Sequence, residues 1–555
     1  WRLNWQWTNT ATYTKKIHED HNITVVLGTE AIKQGVGRYM QGTRIDYIFE
    51  SDPNTWTLDN GSSSNIGNSS RYQRKVTMFG LFGRADYSYK GKYLATFTIR
   101  RDASSKFGSK NRWGNFPSAS LGWRMSDEKF MEPTRKWLDD FKLRAGYGTT
   151  GNSNIGSYNY AFQYGTGNYY MYPITGSDSE TSPGYVLSNS GDSDAKWETT
   201  KMFNIGFDLT ALSNRLTAGF DFYVKNTSDL LVPANWSALV GNASKPSINI
   251  GDMKNRGIDL SIGWRDKVGE FGYNITANIS RYKNEVTRLG SSDLFNDTRL
   301  SKVNITTVGQ PVGMFYGYQI DGIYQNEQDV ISSGVLPYGV ATENDLVASA
   351  WVGRYKMKDV NNDGKIDADD RTIIGNPHPD LTGGFNISLT WRDFDLSTYM
   401  YYSIGNDLYK HYEYTMFGNL QSNYSKDRLA KSWDPVNNPN GIYPLWTTTS
   451  TEGPEAGNES NSNYVQDGSY LRMQTLTLGY SLPKKLLKKI GFEKIRVYGQ
   501  ISNVFTITGY DGLDPEVRSH TSFENEYVSS DMNKGIDYGS YGMPRQFLMG
   551  VNVTF

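Results

Sequence analysis

The residues of this chain that are best suited to chemistry lie in one acidic run, DVNNDGKIDADD, at positions 359–370. Its oxygen-bearing side chains match positions 1, 3, 5, 9 and 12 of a twelve-residue calcium loop, and they are Asp359, Asn361, Asp363, Asp367 and Asp370. Gly364 matches position 6, where the chain turns sharply, and Lys365 matches position 7, which contributes only its backbone carbonyl oxygen. Hard cations prefer such an all-oxygen ligand set, so the run predicts a structural Ca²⁺ site.

A second interpretation of this run stays open. Position 12 holds Asp370 rather than the usual Glu, and the shorter side chain weakens bidentate binding. A solvated turn rich in Asp, Asn and Gly has the same composition. The run lies in the longest predicted connection, 283–381, so a bound ion would brace that loop rather than take part in catalysis.

The rest of the sequence offers few catalytic groups. The chain has no Cys, which excludes disulfides, thiol catalysis and Cys-ligated metals. It also lacks HExxH, GxSxG and phosphate-loop motifs. Of five histidines, His378 lies between two prolines, which is typical of a structural residue, and the others are His18, His21, His411 and His520. We therefore expect no enzyme activity from this chain.

Two groups of tyrosines lie in predicted loops and are candidates for contact with a solute. Their rings can stack on sugars or pack against a partner protein. Packing within the loops, or an aromatic girdle at the membrane interface, explains them equally well, so we assign no substrate contacts. The groups are Tyr158, Tyr160, Tyr164, Tyr169, Tyr170 and Tyr172, and Tyr409, Tyr412 and Tyr414.

Composition excludes several classes of protein. The net charge of -1 over 555 residues leaves no basic footprint for nucleic acid. No run of 18 residues is continuously apolar, so the sequence contains no membrane-spanning helix. The mean hydropathy of -0.59 suits a soluble protein, but it also suits a membrane barrel, in which half of the strand residues face water. A content of 39 Tyr, 14 Trp and 56 Gly is typical of long aromatic-rimmed strands joined by turns.

About fifteen segments, in which apolar and polar residues alternate, must position these groups. The last is the clearest, because Phe547, Met549, Val551, Val553 and Phe555 share one face of an extended strand. Each segment alternates for roughly ten residues, enough for a tilted strand to span an apolar band of ~25 Å. We predict an all-β fold, a transmembrane antiparallel β-barrel, with strands near 3–13, 22–30, 76–89, 92–102, 115–124, 141–149, 198–210, 214–225, 256–266, 270–282, 382–391, 394–404, 469–480, 494–505 and 545–555.

The connections between these segments alternate between short and long, as periplasmic turns and outer loops do in outer-membrane barrels. The first segment ends at a short turn, so its strand runs inward, and an even strand total requires an odd number of strands upstream of Trp1. We therefore expect the chain to be a fragment or a processed product. Long outer loops are predicted near 31–75, 150–197, 226–255, 283–381, 405–468 and 506–544.

Two segments break the simple alternation. In 469–480, Leu471 and Leu476 lie on opposite faces, and in 115–124 the apolar face contains small residues. A β-bulge or a protein-facing position explains either pattern.

Several stretches spread along the chain resemble the SusC/RagA-type TonB-dependent transporters of the Bacteroidetes outer membrane. Each stretch is weak alone, but together they are specific. They are RRDASSKFG (100–108), NFPSASLGWRMSDEKFM (115–131), LRAGYGTTGN (143–152), KWETTKMFNIGFD (196–208), IIGNPHPDLTGGF (373–385), LTLGYSLPKK (476–485), YGQISNVFTITGYDGLDPEV (498–517) and the terminal FLMGVNVTF.

The resemblance implies a barrel of 22 strands with an N-terminal plug, of which fifteen strands lie in this chain and seven strands and the plug lie outside it. It also implies a SusD-like surface lipoprotein as a lid, uptake of an oligosaccharide or a peptide, and energy supplied by the TonB complex through the absent N-terminal region. Dimers of transporter–lipoprotein pairs, embedded in the outer membrane of a Gram-negative bacterium, are implied as well.

Two other functions compete with this expectation. The first is a passive porin of about sixteen strands, which needs neither plug nor lipoprotein. The second is an outer-membrane hydrolase, which needs a Ser/His/acid or metal constellation at the rim of the barrel.

Overall fold

The structure is a computed structural model of the chain. It describes all residues except 48–50, 59–66, 73–74, 166–170, 174–180, 234–242, 244–245, 291–293, 298–301, 414–425, 446–458, 485, 488–490, 518–529 and 540.

The described part of the chain is built mostly from strands. In chain order they are β1 (Arg2–Ile17), β2 (His21–Thr43), β3 (Gly67–Tyr72), β4 (Val76–Tyr89), β5 (Tyr93–Ser104), β6 (Trp113–Arg124), β7 (Leu138–Asn152), β8 (Gln163–Gly165), β9 (Met171–Pro173), β10 (Thr181–Pro183), β11 (Val186–Asn189), β12 (Glu198–Ala211), β13 (Leu216–Pro233), β14 (Ser247–Val268), β15 (Phe271–Arg288), β16 (Leu294–Asp297), β17 (Lys302–Thr306), β18 (Met314–Gly317), β19 (Ile320–Ile323), β20 (Tyr355–Met357), β21 (Thr372–Gly375), β22 (Leu381–Trp391), β23 (Phe394–Ile404), β24 (Asp407–Lys410), β25 (Val465–Asp467), β26 (Tyr470–Ser481), β27 (Lys494–Thr508), β28 (Ile536–Asp537) and β29 (Gln546–Thr554).

Helices are short. The α-helices include α1 (Glu327–Ser332) and α2 (Lys426–Lys431). The 3₁₀ helices include Pro53–Thr55, Met125–Asp127, Lys129–Lys136, Glu343–Asp345, Ala348–Ala350, Ala368–Asp370, Ser462–Tyr464 and Ser530–Asn533. Among the residues with described positions, no helix has both the length and the apolar content needed to cross a membrane.

The main sheet confirms the fifteen predicted strands. Its strand order is β1-β2-β4-β5-β6-β7-β12-β13-β14-β15-β22-β23-β26-β27-β29, so each long strand pairs with the next long strand along the chain, and β3 pairs with β2 as well. Tight turns at the short connections place residues in the left-handed region, for example Lys90 and Gly91 between β4 and β5 and Arg392 between β22 and β23. Such tight turns between antiparallel neighbours produce a meander.

Several strands are longer than the alternating pattern that predicted them. β2 continues to Thr43, thirteen residues beyond the predicted end at 30. β14 begins at Ser247, nine residues before its predicted start at 256. Backbone pairing needs no apolar face, so the hairpins extend past the apolar band into ranges that the sequence marked as loop.

The apolar faces of neighbouring strands are aligned in register. Phe547, Ile501 and Leu476 stand opposite one another on β29, β27 and β26. The rings on this face are exposed in the chain alone, with Phe547 at 75% and Phe97 at 52%. A broad exposed apolar face on paired strands is typical of contact with lipid.

A bulge explains the first irregular segment. In the pairing of β23 with β26, Tyr399 opposes Thr475 and Met400 opposes Met473, so the register skips Gln474. This extra residue returns Met473 and Leu471 to the face that carries Leu476, so of the two explanations that the sequence left open the structure shows the β-bulge. In the second segment, β5 and β6 pair from Tyr93–Trp123 to Ala103–Trp113 without a register shift.

The chain divides into two compact units, each with its own core. The first comprises residues 1–123, 145–202 and 227–250, and the second comprises residues 124–144, 203–226 and 251–555. In the first unit, Phe107, Phe116, Ile155, Ala195 and Trp197 form a buried cluster, in which Trp197 donates its indole N–H to the Arg112 carbonyl at 3.0 Å. The second unit contains two buried clusters, which lie outside the main sheet.

Candidate functional site

Three of the predicted long loops fold together into one body, which we call the loop domain. It comprises the described residues of the connections 302–380, 405–469 and 530–539. Its first core is a cluster of residues with no exposed surface, contributed by all three connections: Val303, Phe315, Tyr409, Tyr464 and Ile536. The residue pattern of these loops gave no sign of such a domain.

Short strands assemble the loop domain around this core. β24 pairs with β25 in antiparallel and with β28 in parallel orientation, which joins the connection 405–469 to 530–539. β16, β17, β18 and β21 form a second small sheet within the connection 283–381.

A second core joins two of the connections again. It contains Tyr318, Ile323, Tyr355, Met357 and Ile366 from one connection and Trp433 from the other. The Trp433 indole N–H donates to the Gln325 side-chain oxygen at 2.9 Å, so the buried ring keeps a polar partner.

The predicted calcium loop lies at the edge of this second core. Ile366, at position 8, is buried in the core, and the loop is tied to Leu336 by backbone hydrogen bonds from Leu336 to Gly364 and from Ile366 to Leu336, of 2.9 and 2.8 Å. Gly364 has φ +85° with open space at its missing Cβ, as position 6 requires.

The carboxylates of the loop accept hydrogen bonds from its own backbone. Asp359 accepts from the N–H groups of Asn362 and Gly364, at 2.6 and 2.8 Å. Asp370 is fully buried and accepts from Val360 and Asp367, at 2.9 and 2.8 Å. The loop is therefore curled around these two residues at positions 1 and 12.

Lys365 supplies a positive charge to the same loop. Its ammonium lies 2.6 Å from Asp367 and 3.8 Å from Asp363. This hydrogen bond, followed by one from the Asp369 backbone, lowers the pKa of Asp367. In the described part of the chain, no three His, Asp or Glu side chains converge in a way suited to a metal ion. The predicted ligands Asn361 and Asp363 are exposed and bond to each other at 3.2 Å.

The polar faces of the long strands carry ion pairs that reach across an intervening strand. In the first unit, Arg100 on β5 bonds to Glu30 on β2 and to Asp102, at 2.7 Å for the latter. Gly80 on β4 stands between Glu30 and Asp102 in register, and a Cβ there would overlap the Asp102 carboxylate. In the second unit, Arg144 lies 2.9 Å from Asp208 and 3.0 Å from Asp221.

The tyrosine groups separate into different environments. Tyr409 is fully buried in the loop-domain core, so it contacts no solute, and Tyr412 packs 5.6 Å from the Lys410 ammonium. Tyr158 and Tyr164 are exposed, at 44% and 69%. Tyr160 packs against Tyr158 with ring centroids 6.4 Å apart. Tyr169, Tyr170, Tyr414 and the side chain of Tyr172 lie outside the described residues.

The histidines occupy separate positions. His378 lies 2.8 Å from the Val312 carbonyl and 3.3 Å from the Tyr282 hydroxyl, which fits its expected structural role. His21 lies 2.8 Å from the Tyr87 hydroxyl, and His18 is an exposed turn residue. His411 is buried in the loop domain, and burial lowers its pKa to about 4. His520 lies outside the described residues.

Comparison with known proteins identifies the family. The family model described as "TonB dependent receptor-like, beta-barrel" matches residues 1–504. TonB-dependent receptor P3 of Formosa agariphila is 34% identical over 88% of this chain and 46% of that protein. TonB-dependent receptor SusC of Bacteroides thetaiotaomicron is 31% identical over 87% of this chain and 44% of that protein. The chain thus spans about half the length of the curated relatives it matches.

Solved structures agree with this fold. The structure of the RagAB peptide transporter matches all of this chain and 56% of the compared chain, with a TM-score of 0.78 and 26% identity. The RagAB peptide importer in its "closed-closed" state matches with a TM-score of 0.77 and 25% identity, over 100% of this chain and 55% of the other. From the family match, the named relatives and the fifteen-stranded sheet we conclude that this chain belongs to the TonB-dependent receptor family, as part of a SusC-like β-barrel of the outer membrane.

Proposed function

We propose that this chain forms the barrel part of an energised importer, which takes up an oligosaccharide or a peptide across the outer membrane. The loop domain is the observation that carries this proposal. Three connections fold into one body with two buried cores on a single meandering sheet. Functional surfaces are commonly built on loops that a rigid scaffold positions, and a passive pore needs no such body.

The comparisons support the proposal at two levels. Relatives named as TonB-dependent receptors, SusC among them, support uptake driven through TonB. The likeness to structures titled as a RagAB peptide importer supports a peptide as one substrate class. The sequence resemblance to SusC/RagA-type transporters supports an oligosaccharide as the other.

The polar faces of the strands would line the path of the solute. Their fixed charges at Arg100, Arg144 and Arg496 are each neutralised by carboxylates of the same sheet. A path with paired charges suits a large polar solute that carries little net charge, because such a solute leaves these pairs intact. No bond chemistry is assigned to this chain.

The importer would act with several partners. A SusD-like lipoprotein would cover the loop domain as a lid, and the TonB complex would pull on a plug-bearing segment of the whole protein. Two such transporter–lipoprotein pairs would form a dimer in the outer membrane.

The calcium loop would brace the loop domain. Ca²⁺ would be held by Asp359, Asn361, Asp363, the Lys365 carbonyl, Asp367 and Asp370, all of them oxygen ligands. Support comes from the turn at Gly364 and from the anchoring of Ile366 in the second core, which give the loop its curled shape. A bound ion would link this curl to β21, which begins two residues after Asp370.

Uptake of labelled solutes by cells tests the energised mechanism. We expect uptake of a glycan or peptide mixture to stop when the inner-membrane proton gradient is collapsed, and to stop when TonB is removed. Uptake that continues at the same initial rate in both conditions would support a passive porin and would refute the proposal.

A further inference from the structure

The stretch GYDGLDPE, residues 509–516, follows β27 and begins the last long connection. Four of its side chains bond to groups elsewhere in the second unit, and these are Tyr510, Asp511, Asp514 and Glu516. In the sequence, this stretch is notable only as part of one of the segments that resemble SusC/RagA-type transporters. Its contacts attach this stretch to the rest of the second unit, mainly through two buried cations.

The first buried cation is Arg472 on β26, with 3% of its surface exposed. Its guanidinium donates to the Thr506 hydroxyl at 2.9 Å, to Glu516 at 2.7 Å and to Asp514. Asp514 also accepts from the Met543 backbone at 3.0 Å. Asp514 thus links the Arg472 guanidinium to Met543, near the other end of the connection 506–544.

The second buried cation is Lys410 at the end of β24, with 1% of its surface exposed. Its ammonium contacts Glu413, and it lies 2.7 Å from Asp511. The neighbouring Tyr510 hydroxyl donates to Asp537 at 2.6 Å, and Asp537 stands opposite Lys410 in the pairing of β24 with β28. The start of the last connection is thus tied to the loop domain at two adjacent points.

These ties are hard to break one at a time. A cation with almost no exposed surface cannot recover its hydration when a carboxylate partner leaves, so the lost interaction is not replaced by water. Lys410 bonds to the first half of this eight-residue stretch and Arg472 to the second half, so Gly509 to Glu516 has little freedom to swing away as a whole.

We propose that Lys410 and Arg472 are positioning residues that fasten the start of the last connection, residues 509–516, to the loop domain and to β26, so that this stretch and the connection 405–469 move as one body. We call this fastening, made by Lys410 and Arg472 with Tyr510, Asp511, Asp514 and Glu516, the latch. Its use in solute capture rests on the proposed function: a lid that engages either of them would then move both.

The latch is a constant fastening at physiological pH. Burial alone would raise the pKa of Asp511 and of Asp514, but hydrogen bonds leave both pKa values lowered. Asp511 accepts hydrogen bonds from Lys410 and Gln466. Asp514 accepts them from backbone groups and from Arg472. Burial lowers the pKa of Lys410, and its hydrogen bonds to Asp511 and Glu413 raise it by more. The Asp511 and Asp514 carboxylates and the Lys410 ammonium are therefore ionised at neutral pH.

Spin-label distances measure the fastening directly. The chain has no Cys, so it adds no background to paired labels at two introduced cysteines. Val436 and Leu513, 84% and 65% exposed, offer one position in the connection 405–469 and one in the stretch 509–516. We expect a narrow distance distribution between V436C and L513C labels in the whole protein, and a broad one in Lys410→Met and Asp511→Asn.

A matched control and a rescue separate the latch from general damage. Lys431→Met removes another cation near Asp511, but its ammonium lies 3.8 Å away and is about half exposed, so the distribution should stay narrow. Lys410→Arg keeps a cation at this position and should give a narrow distance distribution again. Because Arg472→Met risks failure to fold, Asp514→Asn serves as its second variant. A distribution that stays narrow in Lys410→Met, Asp511→Asn and Asp514→Asn alike overturns the latch.

Transport gives a second readout. If the competent arrangement of this stretch and the connection 405–469 falls to a tenth of the population, the half-saturating solute concentration rises about tenfold while the maximal rate changes little. A fall in maximal rate with unchanged half-saturation in Lys410→Met would contradict a positioning role. The distance measurement needs no solute, so it stands even if the proposed import function fails.

Discussion

Arg496 on β27 forms an ion pair with Asp395 on β23, although β26 lies between the two strands. The Arg496 Nε atom lies 2.8 Å from Asp395 Oδ1. Gly479 on β26 stands directly opposite Asp395, and a Cβ at Gly479 would overlap the Arg496 guanidinium. The Arg496 side chain thus crosses β26 at a glycine, which has no side chain to block the guanidinium. Arg100 crosses β4 at Gly80 in the same way to reach Glu30.

Gly479→Ala is expected to break the Arg496–Asp395 pair and to lower the free energy of unfolding by about 1–2 kcal/mol. Gly499→Ala on β27 is the matched control, because a Cβ there meets no atom within 4 Å. Urea unfolding of the barrel in lipid vesicles measures both variants. Equal stabilities for the two variants would mean that the crossing at Gly479 has no energetic importance.

Asp363→Ala is expected to remove protection of the loop domain by Ca²⁺. Binding to the folded state alone stabilises it by about 2.7 kcal/mol at a hundredfold excess over Kd. Limited proteolysis, with and without chelator, measures this effect. Asp369→Ala is the control, since it removes the same charge from position 11, which contributes no ligand. If wild type and Asp363→Ala are cleaved alike in both buffers, the calcium site is refuted.

Lys365→Met is expected to strengthen calcium binding. The Lys365 ammonium bonds to Asp367 at 2.6 Å, so an arriving ion must displace a tethered cation from one of its own ligands. Calorimetric titration with Ca²⁺ should give a Kd several-fold lower for Lys365→Met than for wild type, because the loss of one exposed ion pair changes the binding free energy by about that amount. A weaker affinity in the variant would show that Lys365 helps the loop to bind.

His411 is expected to make the loop domain sensitive to acid. Burial lowers its pKa to about 4, so the folded loop domain disfavours the charged ring. The stability that the neutral His411 ring contributes is therefore complete above the unfolded pKa of about 6.5. It is lost as pH falls towards 4, by at most about 1.4 kcal/mol per pH unit. The protection factors for amide hydrogen exchange of residues 405–413, which correct for the intrinsic effect of pH on exchange, should fall between pH 6.5 and 4 in wild type and fall less in His411→Phe. An equal response in both would exclude His411 as the cause.

The sequence predicted the fifteen strands because a residue in a membrane sheet has only two environments, and a period of two therefore appears directly in the residue order. A bulge was one of two explanations that the sequence offered for Leu471 and Leu476, which fall on opposite faces of an ideal strand, and only the structure places it at Gln474. Strand ends such as Thr43 were missed because pairing beyond the apolar band leaves no alternating pattern.

The loop domain could not be predicted, because its core joins residues such as Phe315, Tyr409 and Ile536, which lie far apart in the chain. The calcium site could be proposed from the sequence because all of its candidate ligands fall within twelve residues. Lys410 and Arg472 gave no local signal, since a cation in a loop or on a strand looks solvated until its partners are known.

The composition of the native complex tests the proposed function most directly. Mass spectrometry of the detergent-extracted complex would identify what accompanies this polypeptide, and a planar bilayer would measure its conductance. If the chain is part of an energised importer, mass spectrometry should find a plug-bearing segment and a surface lipoprotein in the complex, and the bilayer should show no steady conductance. A polypeptide that travels alone and opens steady channels would contradict it and establish a passive porin.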